Sequence, residues 1–183
     1  MCLRPYSAEL QPHCGSSWGS WGDPQFCPEG AFATGFKLKV ESECGTFCDD
    51  TALNGISLIC ESKSGTDMGT ASSKVGLWGT WQNSLLCGYD GQLPRFLRGV
   101  QFRSEKETKK EKHIDETTGN NLNGACYNGT VLSGAGTHWG TWSNYELCPS
   151  DTAVCGLKTQ VEGNQGPSDD TALNQVIFYC CNL

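Results

Sequence analysis

The chain has 183 residues, a net charge of −7 and 12 cysteines. With 13 basic against 20 acidic residues it lacks the basic surface that general nucleic-acid binding needs, and no apolar run is long enough to insert into a membrane. Abundant glycine and tryptophan, with only 18% charged residues, favour a folded β protein over a disordered chain.

The cysteines predict disulfides rather than a metal site. Zinc sites use short pairs such as Cys-x-x-Cys, which this chain lacks, and its histidines (His13, His113 and His138) are isolated. An even cysteine count without ligand spacing indicates an oxidising compartment, so we expect a secreted protein with no metal and no cofactor. Residues 1–15 show no apolar run typical of a signal peptide, and we interpret them as an N-terminal tail.

A Trp-Gly-x-Trp motif occurs three times and uses all 6 tryptophans. The copies begin at Trp18, Trp78 and Trp139, and a cysteine follows the second tryptophan of each copy by six residues. These cysteines are Cys27, Cys87 and Cys148. Such self-similarity at a fixed period indicates a repeat architecture.

Each motif is followed by a strand, a turn and a second strand. Residues 35–40, 99–103 and 156–161 alternate apolar and polar side chains, as a strand with one buried face does. The turn Asp-Asp-Thr-Ala-Leu-Asn at 49–54 returns unchanged at 169–174 and is degraded at 115–120. Six residues after each turn asparagine comes a cysteine: Cys60, Cys126 and Cys180.

Three units of about 60 residues are each too small to fold alone, since chains below about 70–80 residues need extra support. We therefore expect one domain over 16–183, with repeats at roughly 16–74, 75–133 and 134–183 arranged around one core with pseudo-threefold symmetry. The repeat suggests the disulfides Cys27–Cys60 and Cys87–Cys126. Cys148 would pair with Cys180 or Cys181, and Cys155 would take the other. The pairing of the cysteines outside the repeat stays open: Cys2, Cys14, Cys44 and Cys48.

The tryptophan pairs allow two interpretations. Exposed indoles commonly stack on sugar rings, whereas large aromatics at symmetry-related positions also suit the interior or the closed ends of a shared core. We take the core as the expectation.

The acidic turns also allow two interpretations. Asp and Asn side chains stabilise turns through local hydrogen bonds, which requires no chemistry. Alternatively, symmetry gathers the turns at one end of the molecule, where clustered carboxylates could serve as general acid and base on a glycosidic bond. These candidate catalytic residues are Asp49, Asp50, Asp115, Glu116, Asp169 and Asp170.

Two further segments carry expectations. The charged run 103–113 is interpreted as a solvated loop, with contact to an anionic polysaccharide as the alternative. Asn128-Gly129-Thr130 is a glycosylation sequon, which agrees with secretion and predicts a turn at the surface.

The tripled tryptophan motif, the acidic turns and the terminal Phe178-Tyr179-Cys180-Cys181 resemble the vitelline membrane outer layer protein family over residues 16–183. The resemblance implies an all-β, disulfide-stapled β-prism of three four-stranded Greek-key sheets. It also implies a secreted protein of an extracellular coat, with carbohydrate binding or transfer chemistry on N-acetylglucosamine oligomers. The middle turn departs from the pattern with Gly119-Asn120, and Cys44 and Cys48 are additions.

We accordingly predict a monomeric, glycan- or glycoprotein-binding component of an extracellular coat, with extracellular glycans or mucin-like glycoproteins as partners. The alternative is an enzyme that transfers N-acetylglucosamine units between chito-oligosaccharides. Polar contacts and aromatic stacking at one end of the prism would hold the glycan. The predicted binding residues are Asp50, Asn54, Asp170, Asn174, Trp18, Trp78 and Trp139.

Overall fold

A computed structural model describes residues 4–12, 16–42, 51–89, 91, 94–105, 118–163 and 172–183. Within these ranges the regular structure is all β, which confirms the predicted fold class. Several residues singled out from the sequence lie outside the described ranges: Asp49, Asp50, Asp115, Glu116, Asp169, Asp170, Cys2, Cys14, Cys44, Cys48, His13, His113 and most of the charged run 103–113.

Fifteen strands are present in the described part of the chain. In chain order they are β1 (Ala8–Leu10), β2 (Ser20–Trp21), β3 (Gln25–Phe26), β4 (Ala31–Val40), β5 (Leu53–Ser62), β6 (Asp67–Ala71), β7 (Thr80–Trp81), β8 (Leu85–Leu86), β9 (Leu97–Ser104), β10 (Gly119–Cys126), β11 (Val131–Ser133), β12 (Thr141–Trp142), β13 (Glu146–Leu147), β14 (Thr152–Val161) and β15 (Leu173–Asn182). The strands β4, β9 and β14 contain the alternating segments 35–40, 99–103 and 156–161 of the sequence.

The strands form three antiparallel sheets of the same design. Sheet I has the order β6-β5-β4-β7, with β8 also on β4; sheet II has the order β11-β10-β9-β12, with β13 also on β9. Sheet III has the order β1-β15-β14-β2, with β3 also on β14. In each sheet the two short strands share one edge position, so the sheet has four strand positions. The fourth position in chain order lies beside the first. This is the Greek-key order that the resemblance implies.

The sheets do not coincide with the sequence repeats. The Trp-Gly-x-Trp segment of each repeat pairs with the long strand of the preceding repeat, as Thr80 and Trp81 do with Val40 and Lys39. In sheet III the N-terminal β1, β2 and β3 join the C-terminal β14 and β15, which closes the ring of three sheets. The interpretation of residues 1–15 as a tail is therefore wrong for Ala8–Leu10, which form an edge strand against β15.

The core lies between the three sheets. The central strands β4, β9 and β14 contact one another, and their inward side chains are fully buried with those of β5, β10 and β15. Phe36, Leu58, Phe102, Leu122 and Phe178 are among the largest of these side chains. Alternation along each strand thus sends one set of side chains into a shared core, which makes the molecule a three-sided prism.

Four disulfides are formed among the described residues, and they include both pairs that the repeat predicts: Cys27–Cys60, Cys87–Cys126, Cys148–Cys180 and Cys155–Cys181. The structure thereby decides between Cys180 and Cys181 as the partner of Cys148. The first three bonds are equivalent and connect different sheets. Cys87, for example, follows β8 of sheet I, whereas Cys126 ends β10 of sheet II. Together they link sheet III to I, I to II and II to III.

Packing explains why the middle repeat has glycine at position 119. The equivalent positions hold Leu53 and Leu173, which are both buried in the core. A Cβ atom at Gly119 would collide with the carbonyl oxygen of Leu173 and would lie 2.9 Å from Cζ of Phe102. Phe102 stands where the other repeats have Leu38 and Thr159, so a larger neighbour occupies the space of the missing leucine.

Leucine is the residue at the equivalent position of the other two turns. Replacing Gly119 by leucine is nevertheless expected to destabilise the protein. Overpacking a filled core costs about 1–3 kcal/mol, and the backbone carbonyl of Leu173 has little room to move. Denaturant unfolding measures the loss. Gly163→Leu is the control, because nothing lies within 4 Å of a Cβ atom there; equal stabilities of the two variants would contradict the packing argument.

Candidate functional site

The three Trp-Gly-x-Trp loops lie at the same end of the prism. This end, called the tryptophan end below, is where β4, β9 and β14 finish and where β5, β10 and β15 begin. Trp21, Trp81 and Trp142 pair there with Gln160, Lys39 and Arg103. The structure thus brings the loops together with the ends of the predicted acidic turns, because both connect to the same strand ends.

A buried asparagine of each turn holds the tryptophan loop of the next repeat. Asn54 Oδ1 accepts a hydrogen bond from the backbone N–H of Trp78 at 3.2 Å, and its Nδ2 donates to Thr51 Oγ1 at 2.7 Å. Asn174 Nδ2 donates to the Trp18 carbonyl oxygen at 3.0 Å. In the middle repeat, the side chain of Thr137 donates to Asn120 Oδ1. We call these contacts the asparagine clasps.

The clasps correct one prediction from the sequence. Asn54 and Asn174 are fully buried, and their carboxamides are engaged by the protein itself. They are therefore not placed to contact a glycan. Their role is to position the backbone that carries Trp78 and Trp18, since a buried amide is stabilised only when its hydrogen-bonding groups are paired.

Glycine and a long side chain complete the support of each loop. Gly79 has a φ of +77°, and a Cβ atom there would lie 2.5 Å from the carbonyl carbon of Val40, so only glycine fits without strain. Lys39 Nζ donates to the carbonyl oxygens of Gly76 and Leu77 at 2.8 and 3.0 Å. Gln160 and Arg103 stand where Lys39 does in the other two sheets; Gln160 donates to the carbonyl oxygens of Ser17 and Gly19, and Arg103 donates to that of Gly140.

The tryptophans are not the core of the prism. Trp18, Trp78 and Trp139 are 50%, 42% and 43% exposed, so the expectation that the pairs fill the prism interior is wrong. The physical reason is that these three residues lie in loops before the short edge strands, at the end of the prism, while leucine and phenylalanine of the long strands fill the interior.

The second tryptophan of each motif carries a cation over its ring. Lys158 Nζ lies 5.0 Å from the Trp21 ring, Lys37 Nζ lies 5.2 Å from the Trp81 ring, and the Arg103 guanidinium carbon lies 5.7 Å from the Trp142 ring. These cation–π contacts restrain the indoles. Sequence reasoning missed them, although Lys37, Arg103 and Lys158 stand at polar positions of the alternating segments, which is a usable signal.

The tryptophan end is a surface rather than a deep pocket at Trp78. There the indole borders a crevice of about 10 Å³ with Glu162 and Ala172 of sheet III. That volume holds no more than a single water. The arrangement therefore suits stacking of a flat ligand face on exposed indoles better than enclosure of a whole ligand.

Sequence comparison shows what kind of protein carries this arrangement. The family model described as Vitelline membrane outer layer protein I matches residues 9–183. The chain belongs to this family. Proteins named Vitelline membrane outer layer protein 1 homolog from Homo sapiens and Mus musculus are each 40% identical to it over 180 residues, 96% of this chain and 84% of theirs. The resemblance read from the repeats is confirmed, and the outer layer in the family's name implies an extracellular location.

Solved structures confirm the fold. Calystegia sepium agglutinin has a TM-score of 0.60 at 10% identity, covering 99% of this chain and 100% of that one. The artocarpin–mannotriose complex has a TM-score of 0.58 at 12% identity, covering 97% and 99%. At such identities the match concerns the β-prism fold of this family member and not its ligand.

The remaining site predictions fall into three groups. The six candidate catalytic carboxylates lie outside the described residues, so an acid–base function of this family member stays a prediction. Asn128 lies in the turn between β10 and β11, where its Nδ2 donates to the Gly88 carbonyl oxygen at 2.8 Å, and its glycosylation stays a prediction. The ring centroids of His138 and the neighbouring Trp139 are 4.3 Å apart.

Other functional groups are scarce in the described part of the chain. No His, Cys, Asp or Glu residues gather there into a group able to hold a metal ion, and no described helix is long and apolar enough to cross a membrane. At the end opposite the tryptophans, burial raises the pKa of Tyr179 to about 12. Its phenol therefore stays protonated at neutral pH and packs against Tyr6 and Phe26 instead of acting as a base.

Proposed function

We propose that this protein is a secreted, non-enzymatic glycan-binding component of an extracellular coat, and that the tryptophan end is its binding surface. The observation that carries the proposal is the exposure of Trp18, Trp78 and Trp139 on one end of the prism. Leaving large aromatic side chains in water is costly, and such surfaces mark interaction sites.

The support of the tryptophan loops strengthens the proposal. The buried clasp at Asn54 and the close approach of Gly79 to β4 hold the backbone of Trp78 before any ligand arrives. A preorganised surface loses little conformational entropy on binding, which favours recognition of weakly interacting ligands such as sugars. The fold neighbour artocarpin binds mannotriose in its solved complex, which also supports a carbohydrate ligand.

The expected partners are extracellular glycans or mucin-like glycoproteins, bound by a monomer. Three equivalent loops on one end would contact several sugar units of the same coat at once, and such multivalency raises avidity without new contacts. Polar groups of the acidic turns, Asp50 and Asp170 among them, would add hydrogen bonds to sugar hydroxyls.

Replacing Trp78 by alanine is expected to weaken glycan binding by roughly tenfold, because stacking on an aromatic ring contributes about 1–3 kcal/mol in comparable flat-ring contacts. A glycan array selects the ligand, and quenching or shift of tryptophan fluorescence on titration measures the affinity. Leu86→Ala is the matched control: Leu86 is an exposed apolar residue on β8 and is expected to leave the affinity unchanged.

Failure of the wild-type protein to bind any coat-type or mucin-type glycan would contradict the proposal. The non-enzymatic part is tested separately by incubation with N-acetylglucosamine oligomers. We expect their length distribution to stay unchanged, whereas transfer products that disappear in Asp50→Asn and Asp170→Asn variants would identify an enzyme.

A further inference from the structure

We call the line along which two neighbouring sheets meet a seam, and the seams are filled by different residues in different repeats. The chain segment that precedes each Trp-Gly-x-Trp motif crosses to the edge of the neighbouring sheet. Residues 72–77 pack at the edge of sheet III, and residues 134–138 pack at the edge of sheet I. The corresponding segment at the third seam includes residues outside the described ranges.

The asparagine clasps define which residues correspond. Gly76 N–H donates to the Asn54 carbonyl oxygen at 2.6 Å, and Thr137 N–H donates to the Asn120 carbonyl oxygen at 2.9 Å. Gly76 and Thr137 are therefore equivalent. Two residues earlier, one segment has Lys74 and the other has Ala135.

Lys74 fills its seam. Its Nζ donates to Ser20 Oγ at 2.6 Å and to the Val161 carbonyl oxygen at 2.9 Å. A Cβ atom on Gly22 would lie only 2.5 Å from Lys74 Cβ, so the residue after Trp21 has to be small. The lysine side chain therefore lies in the seam directly beside the Trp21 loop.

Ala135 leaves its seam open. Here the residue after Trp81 is Gln82, whose Nε2 donates to the Ala135 carbonyl oxygen at 2.9 Å. A groove of about 480 Å³ remains, within the size range of small-molecule sites. We call it the seam groove, and its lining includes Thr80, Trp81, Gln82, Asn83, Leu85 and Ala135.

We propose that the seam groove is a second carbohydrate subsite, which takes one neutral pyranose unit of an oligosaccharide. Its described lining residues combine an indole and aliphatic side chains with one hydroxyl and two carboxamides, and none of these described residues is charged. An aliphatic ring face with hydroxyl groups around its rim complements such a surface, since apolar area contributes affinity and a few polar groups set orientation.

The indole of Trp81 is restrained for this role. Lys37 Nζ lies 5.2 Å from its ring centroid, and the side chain remains 40% exposed. The seam groove is distinct from the surface at Trp78. The inference depends on the proposed function only in that the protein binds glycans.

The test copies the filled seam into the open one. In Ala135→Lys the new ammonium would be placed to meet Thr80 Oγ1 and the Val40 carbonyl oxygen, the counterparts of Ser20 and Val161, and would occupy the groove. In a double variant, Gln82→Gly with Ala135→Lys, the residue facing the lysine is small, as Gly22 is at the filled seam. Both variants, Trp81→Phe and the wild type are titrated with triacetylchitotriose, mannotriose and sialyllactose.

The readout is the indole N–H resonance of Trp81 in a ¹H–¹⁵N spectrum, assigned by its absence in Trp81→Phe, together with calorimetric stoichiometry. We expect at least one of the two neutral ligands, triacetylchitotriose or mannotriose, to shift this resonance in the wild type and in Trp78→Ala. Filling the groove is expected to abolish the shift and to weaken binding at this subsite at least tenfold. Unchanged melting temperatures confirm that the variants are folded, and Trp81→Phe remains informative if both lysine variants unfold.

The outcomes separate the two proposals. An unmoved Trp81 resonance in the wild type, a shift that persists after the groove is filled, or a response to sialyllactose alone would overturn the seam groove as a neutral-sugar subsite. If binding disappears in Trp78→Ala but is unaffected in the lysine variants and in Trp81→Phe, only the exposed surface at Trp78 is a glycan site. The reverse result would support the seam groove and would refute binding at Trp78.

Discussion

Replacing Cys87 and Cys126 together by alanine is expected to lower the free energy of unfolding by about 4 kcal/mol, the largest effect of any substitution considered. In the chain-entropy model a disulfide stabilises by restricting the unfolded chain, and closing a loop of this length corresponds to about that value. The two cysteines are 39 residues apart. Both are buried in the core cluster, so alanine introduces no polar group.

The position of this bond adds a local consequence. Cys87 N–H donates to the Thr34 carbonyl oxygen in sheet I, while its sulfur is bonded to Cys126 in sheet II. The bond therefore anchors the edge of one sheet to its neighbour across a seam. Amide exchange at residues 85–87 is expected to accelerate in the variant, because loss of the bond lets this edge open before the whole domain unfolds.

Chemical denaturation without reductant measures the stability, and hydrogen exchange measures the local opening. The control is Cys155→Ala with Cys181→Ala, which removes a bond of separation 26 between neighbouring strands of the same sheet. The same model assigns it about 3.5 kcal/mol, but exchange at residues 85–87 should keep its wild-type rate relative to global unfolding. A loss below about 1 kcal/mol for the first variant would contradict the estimate.

Replacing Asn54 by alanine is expected to cost about 2–3 kcal/mol, because it leaves the backbone N–H of Trp78 without its acceptor and empties a fully buried position. The substitution touches no exposed atom. It is nevertheless expected to weaken glycan binding, since the loop that carries Trp78 would no longer be held in one conformation before binding.

Thermal and denaturant unfolding give the stability of this variant, and titration below its melting transition gives the affinity. Asn123→Ala is the matched control. Asn123 lies on β10 of sheet II, is half-buried, and its side chain makes a long hydrogen bond of 3.3 Å to Gln101 Oε1 and a hydrogen bond with the partly exposed Tyr145. Its loss should cost less than about 1 kcal/mol and should leave affinity unchanged. Full affinity in Asn54→Ala would show that preorganisation of Trp78 does not matter for binding.

Features set by short-range patterns could be predicted from the sequence. Alternation located the long strands, because a strand with one buried face has a period of two whatever it pairs with. Cys27, Cys87 and Cys148 recur before a second series, Cys60, Cys126 and Cys180, and this recurrence predicted the disulfide bonds. The repeat did not show that these staples cross between sheets, since that depends on where the short strands pair.

The candidate site was predicted less well. The tryptophan pairs were expected in the core even though Trp18, Trp78 and Trp139 were also named as binding residues. Asn54 and Asn174 were predicted to bind a ligand although they are buried. A two-residue strand has no periodicity from which its exposed face could be read. The same residue types serve a turn, a clasp or a binding surface equally well until their neighbours are known.

By itself, the sequence of this protein determined the threefold repeat, the β class, the family and two of its disulfides, since each depends on residue spacing along the chain. Only the tertiary structure decided that each tryptophan loop joins the sheet of the preceding repeat, that Ala8–Leu10 complete sheet III, and that the seam beside Trp81 is open while Lys74 fills its counterpart. These features arise where distant segments meet as the ring of sheets closes. They depend on side-chain volume and hydrogen bonding between those distant segments, which a local sequence pattern does not show.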